Sequence, residues 1–136
     1  THTTRNRYMN NTLQNPVSWF ALNAQDLARA ARFYETVFGL PLQEVPGKDP
    51  QRQMYLFTPA WEQYGIGGML WHDPAAQPSG HGGITVFFNC ADCTETARAA
   101  EAAGGKLLTA KFPIANGFAA FIEDSEGNRI GLHSPA

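Results

Sequence analysis

Shifting the chain by 66 residues lays its second half over its first. Asn23 then falls on Asn89, Asp26 on Asp92, Ala31 and Arg32 on Ala97 and Arg98, Glu35 on Glu101, and Gly39 on Gly105. No single match is informative, but all fall at equivalent positions of the same local pattern, the mark of one unit used twice. In the first half, residues 17–23 alternate in polarity as a strand does. Asp26 is placed to cap a helix whose buried face is expected to be Leu27, Ala30, Ala31, Tyr34, Val37 and Phe38, spaced by threes and fours. Gly39 ends it with a left-handed residue and Pro41 blocks its continuation. Strands are expected over 42–45, 53–57 and 66–71. The second half repeats the order: a strand over 84–89, a helix opened by Asp92 with Glu95 completing a capping box, and a small buried face of Ala97, Ala100 and Ala103. Gly104-Gly105 stops that helix, and strands follow over 106–110, 118–123 and 129–133. The last two are joined by the turn 124–128, where Gly127 supplies a positive φ. Each half reads βαβββ, so the fold class is α+β with two tandem modules.

The expected modules span 16–72 and 81–136, joined by the Pro/Gly linker 73–80. At some sixty residues each they are marginal alone, so they are expected to share one body. Residues 1–15 read as a disordered or added arm, with Met9 as a candidate natural start, and the fold begins near Pro16. The polar opening has no apolar stretch of the kind a secretory signal carries. Ten basic and twelve acidic residues give a net charge of −2, which offers no electrostatic footprint for nucleic acid or an anionic membrane. At 43% hydrophobic the chain can build a core, and no run is long enough to span a bilayer. Two cysteines are too few for a disulfide scaffold, which points to a cytoplasmic protein.

Three stretches carry a resemblance: Asp26-Leu27 leading to Phe33-Tyr34-Glu35-Thr36-Val37-Phe38-Gly39-Leu40; Asp92 leading to Ala102-Ala103-Gly104-Gly105; and Asp124-Ser125-Glu126-Gly127-Asn128-Arg129-Ile130-Gly131-Leu132. With the paired βαβββ order, they make the chain from Pro16 to about Ser134 resemble the vicinal oxygen chelate superfamily of glyoxalases, bleomycin-resistance proteins and extradiol dioxygenases. The resemblance implies that the two modules curl into a cup with the helices outside. It also implies a divalent metal in that cup, held by His, Glu or Gln on concave strands. Carried over residue by residue, those positions are Trp19 and Thr85 on the opening strands, Gly131 on the final strand, and Gly67 or Gly68 on the matching strand of the first module. Indole and glycine offer no donor and a lone threonine hydroxyl is a poor one, so the expected metal set is none.

The residues left for chemistry are few. Trp19, Ala21, Thr85, Phe87 and Asn89 should share one face of the opening strands, with Gly131 and His133 beside them. The opposite face, Phe20, Leu22, Ile84, Val86 and Phe88, is apolar enough to pack the helices. A second, aromatic face then calls for a cover, either a ligand or a partner chain. Trp19 and Phe87 suit a planar or apolar molecule by stacking, and the segment around Trp61 and Tyr64 could form a rim. His133 is the best acid–base candidate, with His72 and His81 read as solvated or hydrogen-bonded. Cys90 and Cys93 have CxxC spacing, but in this context read as small buried hydrophobes. Glu123, Asp124 and Glu126 are expected to stay solvated around their turn, and Glu62 falls in a loop.

Three functions follow from these residues. The first is a metal-free protein that binds an apolar or aromatic small molecule in the cup, with no cofactor. The second is a lyase, isomerase or dioxygenase using a divalent metal on displaced ligands. The third is a module whose concave face closes a homodimer without catalysis. The resemblance makes a homodimer an expected partner in any case, and whether the chain is an enzyme stays open.

Overall fold

The computed structural model describes residues 19–46, 53–57, 60, 62–74 and 77–136. The expected arm 1–15, the start near Pro16 and the rim residue Trp61 lie outside them. The first half runs β1 (Phe20–Asn23), α1 (Leu27–Phe38), β2 (Leu42–Val45), β3 (Met54–Phe57) and β4 (Gly68–Trp71). The second runs β5 (Val86–Asn89), α2 (Cys93–Ala102), β6 (Lys106–Ile114), β7 (Gly117–Glu123) and β8 (Arg129–Ser134). Two four-stranded sheets result, ordered β1-β4-β3-β2 and β5-β8-β7-β6. In each, the opening strand lies parallel to the last one and the other pairings are antiparallel. The sheets curl into a cup with the helices outside, as two βαβββ modules require.

Local chemistry sets the helix ends. The Asp26 carboxylate accepts the Arg29 N–H at 3.0 Å, and Gly39 at φ 64° turns its own N–H to Glu35 O. The α2 cap differs from expectation. Asp92 accepts from Thr94 N at 2.9 Å, while the Glu95 carboxylate takes Arg98 at 2.6 Å rather than closing a capping box. A cation one turn away competes with a backbone amide for the same carboxylate. The α1 face buries Leu27, Ala30, Ala31, Tyr34 and Val37 as expected, leaves Phe38 half-buried, and adds Phe33. Phe33 lies against Gly105, where a Cβ would come within 2.9 Å of the ring and 2.5 Å of Glu123 O.

One core serves both halves. Phe88 of β5 stacks on Phe38 at 4.7 Å between ring centroids, and sits 5.4 Å from Tyr34, 5.5 Å from Phe20 and 5.7 Å from Phe57. All four of those rings belong to the first half. Ile84 does not join them: it precedes β5, its N–H bonds Gly82 O, and it stands 77% exposed. The strand begins two residues later than the sequence pattern suggests, so no helix covers Ile84.

The turn after β7 is also built differently from its expectation. Asp124 is 3% exposed, and the Glu126 side chain is closed off as well. Asp124 accepts the backbone N–H of Glu126 and of Asn128, each at 2.8 Å, and the Tyr34 hydroxyl at 2.8 Å. Glu126 accepts Arg29 Nε at 2.7 Å and the N–H groups of Gln25 and Asp26 at the start of α1. The turn stays out of solvent because α1 of the other half lies over it and supplies the donors. Glu123 keeps partial exposure and pairs with His81.

Candidate functional site

In antiparallel and parallel ladders, residues paired across strands share a face. Phe87 pairs with Gly131, Asn89 with His133, Gly131 with Phe121, and Arg129 with Glu123. These residues therefore line the face turned away from α2, whereas Phe88, Ile122, Ile130 and Leu132 belong to the core beneath the helices. In the other sheet Ala21 pairs with Met69. Because Ala21 is the repeat equivalent of Phe87, the first-half counterpart of Gly131 is Met69. It is neither Gly67 nor Gly68, since Gly68 pairs with Phe20 on the helix side.

The structure assembles the second-module part of the sequence-derived site most completely. A Cβ at Gly131 would run into ring carbons of Phe87, so the ring lies directly over the glycine. Phe87 is 52% exposed and meets Phe121 at 5.7 Å, which in turn meets Phe112 at 5.9 Å. The Arg129 guanidinium lies over the Phe121 ring at 3.8 Å from its centroid, and its Nη1 donates to Thr85 Oγ1 at 2.8 Å. Asn89 is exposed, with its Nδ2 3.9 Å from the Cβ position of Gly65, which brings a first-half loop over this face. Trp19 is half-buried just before β1, and Ala21 is exposed on the other sheet.

Three members of the shelf, Phe112, Phe121 and Arg129, escaped the sequence reading. The turn at 124–128 contained the signal for two of them. Counting outward from it two residues at a time puts Glu123 opposite Arg129 and Phe121 opposite Gly131. Phe112 could not be placed that way, because β6 shifts register between Leu107 and Phe112.

Each of the described histidines, His72, His81 and His133, has a polar side-chain contact. His133 Nε2 donates to Asn116 O at 3.3 Å, His72 Nδ1 to Ala24 O at 2.9 Å, and His81 Nε2 meets Glu123 Oε2 at 2.8 Å. His133 lies on the same face as Asn89, where the Asn116 carbonyl orients its imidazole. The cysteines do not make a reactive pair. Burial pushes the Cys90 thiol up to about 11, away from the thiolate that redox or metal chemistry requires. Cys93 is buried, its N–H donating to Ser134 Oγ and its thiol reaching Phe118 O.

Trp19, Thr85, Gly131 and now Met69 occupy the positions where the resemblance places metal ligands. The set offers one hydroxyl and one soft thioether, and Phe87 covers the fourth position. That chemistry does not fit a divalent ion of the kind bound by His and carboxylate. Among the described residues no group of three or more His, Cys, Asp or Glu could hold a metal.

The family model for the Glyoxalase/Bleomycin resistance protein/Dioxygenase superfamily matches residues 17–132. The chain belongs to this superfamily. Solved structures agree on the fold. A glyoxalase/bleomycin resistance protein from Albidiferax ferrireducens T118 is 23% identical, with 88% of this chain and 98% of that one covered and a TM-score of 0.60. TnmS3, an antibiotic binding protein from Streptomyces sp. CB03234, is 19% identical over 93% of this chain and 100% of that one, with a TM-score of 0.67. Glyoxalase I from Zea mays is 22% identical over 88% of this chain, with a TM-score of 0.65. The match spans 46% of the maize chain. No curated protein matches the sequence significantly. Among the described residues no helix is long and apolar enough to cross a membrane.

Proposed function

We propose that this member of the superfamily binds an apolar, planar small molecule in its cup without a metal. The observation that carries the reading is the shelf of Phe87, Phe121 and Phe112, with Phe87 half exposed and lying over Gly131 where a ligand side chain would otherwise stand. An aromatic surface of this kind stabilises a planar ligand through apolar burial and offset ring stacking. TnmS3, an antibiotic binding protein of the same fold, supports a small-molecule role for this fold. Catalysis is not part of the proposal.

The test is a calorimetric screen with neutral bicyclic aromatics, such as 2-acetylnaphthalene, on the wild type and on Phe87→Ala and Trp19→Ala variants. Binding that weakens about tenfold or more in Phe87→Ala, roughly the worth of one stacked ring with its buried area, supports the reading. Hits bound unchanged by both variants would remove the pocket. Stoichiometric Fe, Mn, Ni or Zn in protein purified without a metal-binding tag, lost on mutation of His133, would overturn the metal-free part.

A second arrangement has its own observation. Ile84 at 77% and Tyr64 at 93% exposure leave apolar surface that a second copy of the chain could cover. Light scattering that finds a dimer in wild type and a monomer in Ile84→Glu would support a homodimer.

A further inference from the structure

We infer that the ligand of this cup carries an anionic group, a carboxylate or its equivalent, attached to its aromatic ring system and paired with Arg129. The inference rests on the proposed aromatic-binding role and adds the charge of the ligand. Arg129 opens β8 on the cup face and sets its guanidinium carbon over Phe121, 3.8 Å from the ring centroid. Its Nη1 is fixed by the Thr85 hydroxyl at 2.8 Å, so the fork is held in one orientation before any ligand arrives. A guanidinium presents five N–H donors, and one hydroxyl uses only one of them. The residue opposite it in the ladder, Glu123, is engaged by the His81 ring at 2.8 Å, and among the described residues no carboxylate pairs with Arg129. A cation stacked on an aromatic ring, oriented by a neutral partner and left without a counter-ion suits a planar anion. The ligand's ring would extend over Phe121 and Phe87, and its carboxylate would meet the free edge of the guanidinium in bidentate fashion.

The experiment compares two probes of nearly equal shape, 2-naphthoate and neutral 2-acetylnaphthalene, by titration calorimetry. Wild type is expected to bind the carboxylate about tenfold or more tightly than the ketone, the worth of a charge-assisted bond to a partly dry site. In Arg129→Gln that preference falls to about one. In Arg129→Lys, which keeps the charge but loses the fork, a smaller preference remains. Thr85→Val removes the hydroxyl that orients the fork, so the preference narrows there too, and an undiminished preference in Thr85→Val counts against the held fork even if Arg129→Gln does not fold. Equal affinity for the two probes in wild type, or a preference untouched in Arg129→Gln, overturns the anionic ligand and leaves the aromatic reading standing. Failure of both probes to bind at millimolar concentration overturns both.

Discussion

Gly68 and Gly131 each lie beneath a phenylalanine ring, and their fates under substitution should differ. Gly68 is covered by Phe20 and Gly131 by Phe87, with a Cβ running into ring carbons in both places. Phe20 is clamped by Phe57 at 5.4 Å and Phe88 at 5.5 Å, so it has nowhere to go. Phe87 is half exposed and can swing outward. Gly68→Ala is therefore expected to cost about 1–3 kcal/mol by overpacking, and Gly131→Ala clearly less. Urea denaturation measures both. Removing the ring in Phe87→Ala should abolish the cost of Gly131→Ala, a coupling that a double-mutant cycle reads directly. Tyr34→Phe tests another buried partner: without its hydroxyl, Asp124 loses a 2.8 Å donor, at a cost of about 1–3 kcal/mol.

At the scale of elements, the turn at 124–128 and the start of α1 form one electrostatic unit with opposing pH responses. Burial pushes the Asp124 carboxyl above its ordinary value, and the hydrogen bonds it accepts only partly offset this. Its contribution to stability is therefore fully present below the ordinary carboxylate range and is lost as pH rises through its folded value. Burial also pushes Glu126 upward, but Arg29, the Asp26 amide and Ser125 outweigh it, so the net position is below 4.5. Its contribution is present above 4.5 and is lost as pH falls. Thermal melts from pH 7 toward 3 should thus decline less steeply in Glu126→Gln than in wild type, and more steeply in Asp124→Asn. The sequence contained the helix caps at Asp26 and Gly39, the turn glycine at 127 and the order of all eight strands. All of these rest on contacts within a few residues. It did not contain the burial of Asp124 and Glu126, because Tyr34, which donates to Asp124, and Arg29, which donates to Glu126, come from the other half of the chain. Nor could periodicity place Ile84 or Met69, since strand alternation assigns a face only once the first paired residue is known.

For the whole molecule, the cup depends on a core that neither half completes. Phe88 lies among four rings of the first half, so its loss is expected to loosen the joint between modules rather than one module alone. Phe88→Ala should cost about 3–5 kcal/mol, and calorimetry should still show one cooperative transition rather than two. Two separated transitions would contradict a shared core. The aromatic face was foreseen at Phe87 because its neighbours alternate. Its continuation through Phe121 and Phe112 depends on pairing across strands, which one strand's pattern does not record. The joint also reveals how far the two copies of the repeat have parted. Phe88 stands where the first half has Leu22, and Tyr34 where the second has Ala100. Two first halves would bring no ring to fill the space among Phe20, Phe38 and Phe57. Two second halves would leave Phe88 without the aromatic nest that receives it. The duplicated units have thus become a key and a lock, and when expressed as separate fragments they should recognise each other but not themselves.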